Sequence, residues 1–98
     1  MNTVSEAKLA KYFLVTEKAL AVAKKAPVKK GHEQNVAIII DMVERYVSDA
    51  HHFEKTEDKV LAFAALNYAH GWLDCGARLG LFVVQDSALF TADNTADN

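Results

Sequence analysis

Apolar residues recur every three or four positions along most of the chain, the period of an α-helix that buries one face. Over residues 3–25, Leu9, Phe13, Leu20 and Ala23 keep that spacing, with lysines and glutamates between them. Ser5 or Thr3 can cap the start, and Lys24 and Lys25 in the last turn complement the helix dipole. Pro27 and Gly31 interrupt the pattern. It resumes over about residues 32–55 in Val36, Ile39, Ile40, Val43, Val47, Ala50 and Phe53. The stretch AIII would read as a buried strand by itself. The length and period around it make it helix. Asp41 and Arg45, four apart, are expected to pair on the exposed side.

A short EKTED turn follows, with Thr56 as the expected N-cap and Glu57 and Asp58 in the first helical turn. The third helix is expected from about residue 57 to Gly80, a C-cap glycine. Two short loops place successive helices side by side and antiparallel. The expected fold is therefore all-α, an up-down-up antiparallel three-helix bundle with a short C-terminal extension, in one domain over residues 1–91. Beyond the third helix, Leu81–Val84 and Leu89–Phe90 form two apolar clusters around a turn at Gln85–Ser87. They can fold back on the bundle or join an interface. The end repeats TADN, and residues 92–98 are expected to be a frayed or disordered tail.

The third helix departs from an ordinary bundle helix. Gly71 and Gly76 lie in its interior, where glycine costs about 1 kcal/mol relative to alanine. At about 100° per residue, Ala62, Ala65, Ala69, Gly76 and Gly80 fall on one ridge, flanked by Leu61, Tyr68, Trp72, Leu73 and Leu79. A ridge of small residues lets a neighbouring helix approach, so Gly76 reads as a packing glycine. The opposite side carries Asn67, His70, Asp74 and Arg78, with Gly71 among them. Asp74 sits four residues from both His70 and Arg78 and can accept from each, which would hold the imidazole in one tautomer. Gly71 leaves a notch beside His70. Such a strip is ordinarily a solvated face, but Asn67 and Gly71 are poor helix formers where Glu, Lys or Gln would be usual. The apolar arc is also wide, about 200°, more than two neighbouring helices cover. The C-terminal segment or a second subunit must cover the remainder.

Composition narrows the function classes. The 98 residues fit one domain, and half are apolar. The net charge of −2 argues against a nucleic-acid surface, although Lys24, Lys25, Lys29 and Lys30 cluster around Pro27. No apolar run approaches the roughly 18 residues of a membrane span, and charges interrupt any N-terminal signal segment, so a cytoplasmic protein is expected. The single Cys75 has no partner for a disulfide or a CxxC zinc site, and reads as a small buried hydrophobe. There is no HExxH, no ExxH, no phosphate loop and no serine elbow. His51 and His52 lie about 15 Å from His70 along the second hairpin, too far to share one metal. Glu17, Asp41, His70 and Asp74 share a height but not a common direction. No catalytic residue, metal or cofactor is expected.

The stretch YVSDAHHF, the alanine-rich opening of the third helix, and NYAHGWLD followed by Arg78, Leu79 and Gly80 resemble DUF357, a family of short archaeal proteins. LFT at Leu89–Thr91 is similar to the family's C-terminal end, and the resemblance covers roughly residues 40–91. It implies a small helical bundle in an archaeal cytoplasm and supplies no activity. Cys75 stands where the family resemblance implies a small residue.

Two readings follow. The first is a non-enzymatic interaction module, homo-oligomeric or bound to a protein partner, with Tyr68, Trp72, Leu79, Phe82 and Phe90 as interface candidates. The second is a small-ligand or nucleotide-binding domain with a polar site at Asn67, His70, Gly71, Asp74 and Arg78.

Overall fold

The computed structural model describes residues 3–84. The second apolar cluster, Phe90 and the TADN repeat lie outside the described residues, as does the end of the expected 1–91 domain.

Three helices form, α1 (Glu6–Lys25), α2 (Glu33–Lys55) and α3 (Lys59–Arg78). Ser5 caps α1, its side chain accepting from the Lys8 amide at 3.0 Å. The α1–α2 loop turns at Gly31, whose φ of 88° is in the left-handed region that glycine enters freely. The expected cap of α3 is displaced by two residues. Thr56 instead closes α2, its hydroxyl donating to the Phe53 carbonyl at 3.1 Å. Asp58 caps α3 by accepting from the Leu61 amide at 3.0 Å. Between them Glu57 adopts φ 64°, because the turn needs one left-handed residue and offers no glycine. At the other end, Gly80 at φ 71° donates to Ala77 O, and Leu81 N donates to Gly76 O. These two bonds are a Schellman cap, as the glycine there implies.

The contacts fix the topology. Glu6 meets Lys59 and Thr16 meets His70, so α1 and α3 run parallel. Lys24 meets Glu44 and Glu17 meets His51, so α2 runs against α1. It follows that α2 also runs against α3, where Tyr46 stacks on Tyr68. This is the expected up-down-up three-helix bundle. The buried face of α2 is Val36, Ile39, Val43, Val47 and Ala50, and Asp41 pairs with Arg45 on its outer side at 2.9 Å.

The core has two parts. Near the α2–α3 turn, Leu9 and Phe13 of α1 pack with Ala50, Ala62, Ala65 and Leu66. Toward the other end, Ala19 and Ala23 join Val36, Ile39, Val43, Leu73 and Ala77. There the chain after α3 folds back and completes the layer. Val83 N donates to Pro27 O, and Lys29 N to Leu81 O, making one antiparallel bridge between Val28 and Phe82. Leu81, Phe82 and Val84 are buried by this return. Residues 81–84, the described part of the C-terminal extension, therefore cover the bundle end.

Gly76 is placed by that cover. A Cβ there would fall 2.8 Å from Phe82 Cζ and 3.3 Å from Ile39 Cδ1. The ring of Phe82 occupies the space a side chain would need, so Gly76 is a packing glycine as expected. Phe82, an interface candidate in the sequence, is 1% exposed and belongs to the core. Its apolar neighbours gave no sign of which cluster would turn inward.

Candidate functional site

The polar strip of α3 divides when the helix packs. His70 and Asp74 turn toward α1 and are half-buried, with side chains 22% and 24% exposed. Asn67, Gly71 and Arg78 are exposed. His70 Nδ1 lies 3.4 Å from the hydroxyl of Thr16, the single buried polar side chain among the described residues. His70 Nε2 lies 3.7 Å from Asp74 Oδ1. The imidazole thus stands between a buried hydroxyl and a partly shielded carboxylate, and its orientation is set from both sides.

Around it, α1 and α3 part to leave a concavity of about 430 Å³ lined by Asn67, His70, Gly71 and Asp74 from α3 and by Lys11, Tyr12 and Val15 from α1. Nothing lies within 4 Å of the position a Cβ on Gly71 would take, so the notch expected there is open. Four of the five candidate ligand residues are brought together. Arg78, the fifth, is not part of the lining: it stands in the last turn of α3, beyond the groove. The α1 wall was not legible in the third helix, because it depends on helix register. One signal pointed to it. Thr16 interrupts the apolar spacing of α1 between Phe13 and Leu20, and a hydroxyl on a core face calls for a polar partner across the interface.

The other histidines are engaged elsewhere. His51 Nε2 lies 2.6 Å from Glu17 Oε2, and the imidazole stacks on Phe13 at 4.5 Å between ring centres. Glu17 and Asp41 each have a partner away from the groove, so the level group Glu17, Asp41, His70 and Asp74 does not converge. Among the described residues no cluster of three or more His, Cys, Asp or Glu is placed to hold a metal. No described helix is long and apolar enough to cross a membrane.

A second surface lies on the side of α3 next to α2. Leu61, Tyr68, Trp72 and Leu79 are 45, 62, 37 and 62% exposed. By the helical period they fall within about 40° of one another and span about 27 Å, one continuous apolar seam. The ring of Tyr46 stacks on Tyr68 at 5.5 Å between ring centres. Beside the seam lie Gly71 and Cys75, both exposed. Cys75 is thus not the buried hydrophobe expected. By the helical period it lies about 60° from Trp72, on the outward side of the helix. Between Lys59 and Asp74, α3 carries no lysine, arginine, aspartate or glutamate.

No curated protein and no solved structure matches the chain. A family model described as a protein of unknown function (DUF357) matches residues 11–82. The match begins at the first groove residue of α1 and ends at Phe82, so it takes in most of α1, which lies outside the resemblance over residues 40–91. It stops short of LFT at Leu89–Thr91. Over most of its length, including the groove, the seam and the returning segment as far as Phe82, the chain belongs to the DUF357 family.

Proposed function

We propose that the chain is a non-enzymatic interaction module that associates with a second copy of itself through the outer side of α3. The observation that carries this reading is the seam of Leu61, Tyr68, Trp72 and Leu79 on a helix that carries no lysine, arginine, aspartate or glutamate from Val60 to Leu73. Contiguous exposed apolar surface on a domain of this size marks an interaction site, and aromatic anchors of this kind dominate binding energies. Cys75, small and exposed beside the seam, lets another helix approach closely.

The choice of a second copy rests on charge. Glu57 and the cap residue Asp58 immediately precede α3, which ends at Arg78, while Lys59 is engaged by Glu6 at 3.3 Å. Two copies of α3 packed antiparallel bring each Arg78 toward the acidic pair before the other's first turn and set the two helix dipoles antiparallel. A two-fold contact of this kind is self-complementary and closes at a dimer.

Sedimentation equilibrium of the full chain tests it, alongside Tyr68→Glu. The wild-type mass is expected to rise toward that of a dimer between micromolar and millimolar concentration. Tyr68→Glu is expected to remain monomeric with unchanged helix content, since Tyr68 is largely exposed. A wild-type chain that stays monomeric over the whole range contradicts the reading.

A further inference from the structure

The groove between α1 and α3 lies on the other side of the outer face from the seam and is not needed for self-association. We propose that it binds a planar heteroaromatic ring bearing an anionic group, the class to which nucleoside monophosphates belong. Three features support this occupant together.

The first is shape. The cavity of about 430 Å³ is of the size of small-ligand clefts. One wall is the helix backbone laid bare at Gly71, with open space where a side chain would stand. The facing wall is Val15 and Tyr12. A slot bounded by bare backbone on one side and apolar groups on the other admits a flat ring more readily than a branched aliphatic group.

The second is the hydrogen-bonding edge. Asn67, His70 and Asp74 follow one another along the same side of α3 at helical spacing. A carboxamide offers both donors and an acceptor, and a carboxylate accepts from more than one donor. Side-by-side donors and acceptors on a ring edge match that row. The contacts of His70 to Thr16 and Asp74 orient the imidazole within that row before any ligand arrives, which lessens the ordering needed on binding.

The third is charge. Lys11 lines the groove and forms no ion pair among the described residues. Because α1 and α3 run parallel with Thr16 level with His70, Lys11 stands toward the Asn67 end. Asp74 stands about 10 Å further along α3. A ligand with an anionic group at the first end and an exocyclic amine at the second complements both. A nucleoside monophosphate has that length and that polarity.

The test is a titration of the full chain with adenosine 5′-monophosphate, followed by backbone amide NMR, with adenosine and inorganic phosphate run alongside. The nucleotide is expected to shift the amides of Asn67, His70, Gly71 and Asp74 and to saturate. Adenosine is expected to bind at least about threefold more weakly, the scale of one exposed ion pair. Lys11→Ala is expected to bring the nucleotide down to adenosine's level. Gly71→Leu fills the notch and is expected to abolish the shifts. It should raise rather than lower the melting temperature, because leucine is the better helix former and the site is open, so lost binding cannot be lost folding. Tyr68→Glu, on the seam, is expected to bind as wild type, which separates this site from the dimer contact. No shift at about 10 mM nucleotide, a threshold for even weak binding, overturns the proposal. So does wild-type binding by Gly71→Leu, adenosine binding as tightly as the nucleotide, or the same shifts from inorganic phosphate alone.

Discussion

The outer faces of α2 and α3 are both turned to solvent in the same bundle, yet they are built differently. On α2 that face carries Asp41 and Arg45 as an ion pair, with Ser48, Asp49 and His52 following. On α3 it carries Gly71 and Cys75, with the seam of Tyr68 and Trp72 beside them. The first is what a helix needs against water alone. The second leaves apolar area without the charges that ordinarily accompany exposure, and it gives up helix propensity at Gly71. The contrast within α3 is equally instructive. Gly76 and Gly71 are five residues apart and lie on different faces. One is filled by the Phe82 ring and the other opens onto empty space. Helix glycine thus serves core packing in one case and surface shape in the other.

The largest effect is expected at the inner glycine. Gly76→Val drives two methyl groups into the Phe82 ring and Ile39, and overpacking of this kind costs about 2 kcal/mol or more, roughly 10 °C in melting temperature for a domain this small. Thermal unfolding by circular dichroism reads it, and an unchanged midpoint would mean that Phe82 does not fill that space. Gly71→Ala should move the other way. With nothing near the new methyl group, it is expected to stabilise by about 0.5–1 kcal/mol, measured by urea unfolding of dilute protein. A loss of stability there would show that the outer face is more crowded than it stands. The smallest effect belongs to α2. Asp41→Asn breaks an exposed pair with side chains 57 and 72% accessible, and is expected to change stability by less than about 0.5 kcal/mol.

The bundle was legible because its helices obey one period and its loops are short. The positions that set the core, from Leu9 and Phe13 to Val43 and Ala69, could be read from spacing alone. The α3 cap was misplaced at Thr56 because Thr56 and Asp58 are both competent caps, and a left-handed Glu57 between them has no sequence signature. Leu81 to Val84 could not be resolved by pattern. Their burial depends on the bridge to Val28, a pairing between segments far apart in the chain. The same holds for the groove. Its α3 wall was visible as a polar strip with a glycine in it, whereas Lys11, Tyr12 and Val15 enter only once the register of α1 on α3 is known. Trp72 and Tyr68 were legible as surplus apolar residues, but how far α2 would cover them was set by packing.

The protein carries its own reporter for the α3 surface, since Trp72 is its one tryptophan and sits in the middle of the seam. Its fluorescence, read on the unmodified chain across a dilution series from millimolar to micromolar, is the most direct measurement. If a second copy covers the seam, the emission should move to longer wavelength and become more open to acrylamide quenching on dilution, with a midpoint matching the loss of dimer mass. An emission maximum and quenching constant that stay the same at every concentration would show that nothing docks there.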